Sequence, residues 1–151
     1  RARLSGPLLD RIDLHVCVDA VAYRDFSAGP RGEPSEVMRE RIEGAREVQR
    51  ERLGVLGSNA AMTQRDIEKA VPLSDELLGI IERAMTEYGL STRAITRCLK
   101  VTRTIADLNG AGNVLPCHLE EALSLRLLGR TGLPRCAHGG RTPGQGWSKT
   151  A

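Results

Sequence analysis

The stretch Thr92 to Leu108 constrains the fold more than any other part of the chain. At about 100° per residue, Ile95, Cys98, Leu99, Thr102, Ile105 and Ala106 gather on one side. Arg93, Arg97, Lys100 and Arg103 gather on the other. No sheet can use this period, whereas an amphipathic helix does so directly. Its apolar side demands a cover of other helices. Its outer side is a basic stripe interrupted only by Asp107, four residues after Arg103. Any solvated helix has a charged outer face. Even so, four cations with one counter-charge exceed what solubility requires, and anions are their natural partner.

The flanking sequence supplies the covering helices, each with its own start and stop signals. Ser35 is placed to cap a helix over about 36–53, with Glu36 in its first turn and Met38, Ile42, Ala45 and Gln49 on one stripe. Its other faces mix Glu and Arg, which suits either solvent or a groove or pore in an assembly. Gly54 and Gly57 end it. Thr63 caps a short helix to about Ala70, which Pro72 stops. Ser74 caps a helix over about 75–88, where Leu77, Leu78, Ile81, Ala84, Met85 and Tyr88 recur at helical spacing. Gly89 ends that helix, and Ser91 caps the central one after almost no loop. Pro116 suits the first position of a last helix, about 116–128, with Leu119, Ala122, Leu123 and Leu127 inward. Only four aromatic residues are present, so the core must be aliphatic. The packing predicted at its centre is Ile95, Leu99 and Ile105 against Leu78, Ile81 and Met85.

The formal net charge of +3 invites a nucleic-acid reading, but its distribution argues otherwise. Residues 1–128 hold all 19 acids against 18 Lys and Arg, so any nucleic-acid contact must be a local stripe. The excess lies in 129–151, a Gly- and Pro-rich stretch without acids or periodicity, predicted to be a disordered tail. Cys17, Cys98, Cys117 and Cys136 form no paired framework, and His15-x-Cys17 and Cys136-x-His138 are only half-sites, so no metal is expected. No apolar span of membrane length or signal peptide occurs, and the cytoplasm is the default location.

At the other end, Ser5-Gly6-Pro7 is a turn signal and Leu8 to Arg11 suits one helical turn. Ile12-Asp13-Leu14-His15-Val16-Cys17-Val18 alternates apolar and polar, the mark of a strand. Arg11 therefore stands at the entrance to a strand, beside Asp10 and Asp13. The plain reading is a structural ion pair with one of them.

The wording of this stretch, Leu4-Ser5-Gly6-Pro7-Leu8-Leu9-Asp10-Arg11-Ile12-Asp13-Leu14-His15-Val16, resembles the C-terminal edge of the ATPase core in the magnesium chelatase-related AAA+ family. More distantly it resembles a segment of the MCM helicases. Similar wording continues through Gln49-Arg50-Glu51-Arg52, Asn59-Ala60-Ala61-Met62, Gly89-Leu90-Ser91-Thr92-Arg93-Ala94, Arg103-Thr104-Ile105-Ala106-Asp107-Leu108 and His118-Leu119-Glu120-Glu121-Ala122. The resemblance implies that Arg11 is an arginine finger, reaching the γ-phosphate of ATP held by a neighbouring subunit. It implies that Arg93, near the start of its helix, is the sensor-2 arginine of a helical lid. Arg97 and Arg103 also match family arginines, without an assigned role. With Lys100 they are candidate contacts for an anion or DNA.

The expectation is thus a mainly α helical bundle, the lid of an AAA+ protein, preceded by one short strand from the ATPase core. Residues 1–18 would be the core's edge, 19–34 a linker, 35–128 the lid and 129–151 the tail. No phosphate-cradling G-x-x-x-x-G-K-[ST] loop occurs, nor an apolar strand ending in paired acids. The chain begins with Arg inside a motif, so it reads as a fragment that cannot hydrolyse ATP alone. ATP and Mg²⁺ are implied for the longer protein and no cofactor for this stretch by itself. The implied partners are neighbouring subunits of a homo-hexameric ring and DNA, with no membrane. The alternatives are a helical nucleic-acid-binding module, or the motor subunit of a magnesium chelatase.

Overall fold

A computed structural model of the chain describes residues 11–16, 32–55 and 57–127. These residues are mainly helical. The helices are α1 (Ser35–Leu53), α2 (Gln64–Ala70), α3 (Asp75–Tyr88), α4 (Thr92–Leu108) and α5 (Pro116–Ser124), with a 3₁₀ turn, Asn59–Ala61, between α1 and α2.

Each start has a local cause. The Thr63 hydroxyl accepts from Asp66 N–H while the Asp66 carboxylate accepts from Thr63 N–H at 2.8 Å, a reciprocal box. Ser74 and Ser91 cap α3 and α4 by accepting from Leu77 N–H and Ala94 N–H. The start of α1 differs from expectation, since its cap position is Pro34 and Ser35 is already helical. Gly57 lets the chain leave α1 closely, because a Cβ there would lie 2.3 Å from Leu53 Cβ.

Helix α4 is the axis of the bundle: α5, α1, α2 and the 3₁₀ turn all pack on it, and α3 packs on α5. Its inner residues Ile95, Cys98, Leu99, Thr102, Ile105 and Ala106 are all buried, as the periodicity predicts. Leu119 and Leu123 of α5 and Leu77 of α3 complete the centre. The predicted seat of α3 is rotated, however. Leu77, Ile80 and Ala84 are buried, whereas Leu78 and Met85 are exposed and Ile81 is half-buried. The side chains that α3 turns to the core are therefore shifted by one position from Leu78, Ile81 and Met85. On α1, Ala45 and Gln49 are buried, but Met38 and Ile42 are not.

Two further expectations are corrected. Helix α5 ends at Ser124 rather than near 128, and no strand is present among the described residues. Residues 11–16 are irregular, and among the described residues no strand lies beside them. Their polar backbone groups turn to the end of α5 instead, where His15 N–H donates to Leu125 O at 2.5 Å. Cys17 and Val18, residues 1–10, most of the proposed linker and the proposed tail lie outside the described residues.

Candidate functional site

The C-terminal end of α4 explains the fate of the basic stripe. Gly110, at φ +65°, turns the chain back so that Ala111 N–H donates to Ala106 O and Gly110 N–H to Asp107 O. This is the left-handed turn that glycine favours after a helix. It brings the carbonyls of Ala111 and Gly112 onto Arg103, whose Nη2 and Nη1 donate to them at 2.7 and 2.9 Å. Arg103 Nε donates to Asp107 Oδ1 at 2.9 Å, one turn along the same helix. Arg103 is therefore only 3% exposed. The structure corrects its placement on the outer stripe: its donors are spent inside the protein, and none faces an external anion.

Asp107 is the centre of this cluster. Its carboxylate accepts from Arg103, from Arg52 of α1 at 2.5 and 3.2 Å, and from Asn59 Nδ2 at 2.7 Å. Asn59 also donates to Thr104 Oγ1, and its own N–H donates to Gln49 Oε1. Burial alone raises the carboxyl pKa. The hydrogen bonds from Arg52, Asn59 and Arg103 together outweigh that, holding Asp107 below its ordinary value. Six residues from three of the stretches quoted above, Gln49, Arg52, Asn59, Arg103, Thr104 and Asp107, thus meet in one largely buried network joining α1, the 3₁₀ turn and α4. Sequence reasoning placed Asp107 on the stripe but missed this role. The i,i+4 spacing of Arg103 and Asp107 was the only local signal.

The N-terminal half of α4 carries the other candidates. Arg97 Nη1 donates to Arg11 O at 2.9 Å and to Asp13 Oδ1 at 2.5 Å. Arg126, buried at the end of α5, donates to Ile12 O at 3.0 Å. His15 Nδ1 donates to Arg126 O at 2.7 Å. The segment 11–16 is thereby held against α4 and α5 by two arginines and a histidine. Asp13 pairs with Arg97, and the Arg11 side chain is exposed. Arg126 was not singled out from the sequence, since an arginine among inward-facing leucines carries no periodic signal.

Lys100 Nζ donates to Ala60 O at 2.9 Å. It borders an open cleft of about 340 Å³ between segment 11–16, the 3₁₀ turn and α4, lined by Asp13, Ala60, Arg97, Lys100 and Thr104. Arg93, in the first turn of α4, is exposed, and among the described residues it makes no ion pair. It lies one turn before Arg97 on the same face. The four cations therefore have four situations: Arg93 open to solvent, Arg97 bound to the preceding segment, Lys100 at a cleft, and Arg103 buried.

Two other titratable groups belong to the packing. Burial lowers the His118 pKa, with a further push from Arg103, and its Nδ1 accepts from Leu115 N–H at the start of α5. Burial pushes the Cys98 thiol up to about 11, so it is inert as a nucleophile. Among the described residues no group of three or more His, Cys, Asp and Glu could hold a metal ion. No helix there is long and apolar enough to cross a membrane.

The family model of the C-terminal part of the magnesium chelatase subunit ChlI matches residues 32–126. The chain is 43% identical over 129 residues to the competence protein ComM of Haemophilus influenzae, covering 85% of this chain and 25% of that protein. It is 38% identical over 129 residues to the protein YifB of Salmonella typhimurium, with the same coverage. To the Mycobacterium tuberculosis protein Rv2897c it is 33% identical over 129 residues, 84% of this chain and 25% of that one. The chain thus spans about a quarter of the length of the curated relatives it matches.

Proposed function

The chain belongs to the family of the magnesium chelatase ChlI C-terminal domain, and from that premise we propose that it is the helical lid of an AAA+ ATPase. In this reading a preceding ATPase core binds ATP and Mg²⁺, and subunits assemble into a homo-hexameric ring in the cytoplasm. The ring remodels DNA, as the resemblance implies. Arg11 acts in trans on the nucleotide of the next subunit, and Arg93 senses the nucleotide of its own.

The observation that supports this most is the division among the arginines. Arg97 and Arg103 are committed to the chain's own backbone and carboxylates. Arg11 and Arg93 keep their side chains exposed. Arg97 also ties the Arg11 backbone to the helix that carries Arg93, so both exposed guanidinium groups spring from segments bonded to each other. A guanidinium needs such support, because stabilising charge that develops on a γ-phosphate requires a donor already in place. Arg93 can fork onto two phosphate oxygens, with the free N–H groups of the first turn of α4 aimed the same way.

The test uses a protein in which this chain follows a core bearing its phosphate-binding motif. Arg11→Ala should leave ATP binding nearly intact while turnover falls by orders of magnitude, as a finger is worth about 10³–10⁵. Mixing Arg11→Ala subunits with subunits lacking the phosphate-loop lysine should restore part of the activity at mixed interfaces. Full activity of Arg11→Ala alone would remove the finger from this account.

A further inference from the structure

Two apolar faces of the chain are covered by no described residue, and their borders carry opposite charge. Every residue of α1 from Ser35 to Glu43 is exposed, although a helical stretch this short is marginal in water without packing. Met38 and Ile42 stand there 41% and 54% exposed. They continue the stripe of Ala45 and Gln49, which the bundle buries. At about 100° per residue, Arg39 and Arg46 border the stripe on one side and Arg41, paired with Glu33, on the other. The acids Glu36, Glu40, Glu43 and Glu47 fall on the opposite face.

On α3, Leu78 and Met85 are 47% and 39% exposed, two turns apart on one face. Asp75 and Glu82 border them. The two faces belong to different parts of the bundle, because α1 packs on α4 and α3 on α5.

We propose that the N-terminal half of α1 docks, through Met38 and Ile42, on the Leu78–Met85 face of a second copy of this chain. The basic borders of α1 then meet the acidic border of α3, which sets orientation and discourages α1–α1 or α3–α3 pairing. The contact is heterologous: each copy offers α1 to one neighbour and α3 to another. Such a contact gives a ring if the rotation closes and a filament if it does not. It does not depend on the roles given to Arg11 and Arg93, and its test reads no ATP turnover, so the two can fail separately.

The experiment is sedimentation of the 151-residue chain over a concentration series, beside two surface variants. Ile42→Glu puts an acid into the stripe that must meet acids, and Leu78→Arg puts a cation into the face that must meet arginines. Both positions are exposed, and unchanged helical circular dichroism confirms that each variant folds. The apparent mass of the unmodified chain should rise with concentration, and each variant alone should associate roughly tenfold or more weakly. Mixed together, the variants should associate again, because each still has one intact face and the two altered faces now carry opposite charges. An unmodified chain that stays monomeric at every concentration would overturn the proposal. Variants that self-associate like the unmodified chain, or a mixture that stays monomeric, would overturn it equally.

Discussion

Arg52 places its Nη2 2.5 Å from Oδ1 of Asp107, a carboxylate fifty-five residues further along the chain with no solvent exposure of its side chain. Arg103 approaches the same oxygen from the other side, at 2.8 Å. One carboxylate thus joins two guanidinium groups from α1 and α4, and the carbonyls of Ala111 and Gly112 take the donors left over. The arrangement is strong against rupture rather than strong in net stability, because burying ions costs desolvation.

Removing the central charge should therefore be severe. Asp107→Asn keeps the shape but leaves two half-paired cations, one of them fully buried, and should cost about 3–5 kcal/mol. Urea unfolding measures this. A loss below about 1 kcal/mol would mean that the arginines reach water in the folded state.

Acid should weaken the fold in two separable windows. The pKa of His118 is lowered on folding, so the unfolded chain takes up the proton first and stability falls as pH drops below about 6.5. Protonation would also cost Nδ1 its role as acceptor for Leu115 N–H. The lowered Asp107 carboxyl contributes stability above about 3.9, lost as pH falls through its folded value. Unfolding midpoints at pH 7.5, 6 and 5, with and without His118→Gln, check the upper window. The account requires the substitution to flatten the slope there.

The seating of α3 gives a sharp pair of neighbours. Leu77 is 2% exposed, and Leu77→Ala should cost roughly 2–5 kcal/mol. Leu78→Ala, on the outer face, should cost less than about 0.5 kcal/mol. The reverse order would show the helix turned by one residue.

That pair also marks how far the sequence could be read. The caps Thr63, Ser74 and Ser91 and the proline at 116 located the starts of α2 to α5, because those signals are local hydrogen-bond chemistry. The central helix and its buried face were equally legible, since no competing stripe exists on α4. On α3 two apolar stripes lie side by side, Leu77–Ile80–Ala84 and Leu78–Ile81–Met85. Periodicity alone cannot choose between them; the neighbour does. The alternation of Ile12 to Val16 suggested a strand, but a strand needs a partner, and among the described residues His15 N–H finds its acceptor in Leu125 O, just past α5. Arg103 illustrates the same limit. Its spacing to Asp107 is visible, whereas its burial depends on the turn at Gly110 that brings the Ala111 and Gly112 carbonyls onto it.

The central claim is that the cations of α4 divide their labour, Arg93 serving ATP while Arg97 and Arg103 serve the fold. The most direct measurement is steady-state ATP turnover of Arg93→Ala in a protein where this chain follows its ATPase core, with Tm taken on the same sample. The account predicts a Tm within about 2 °C of the unmodified protein, since an exposed side chain contributes little stability. It predicts turnover lower by about a hundredfold or more, the scale set by losing a guanidinium that touches transferring phosphate. Turnover within twofold of the unmodified protein at an unchanged Tm would contradict it.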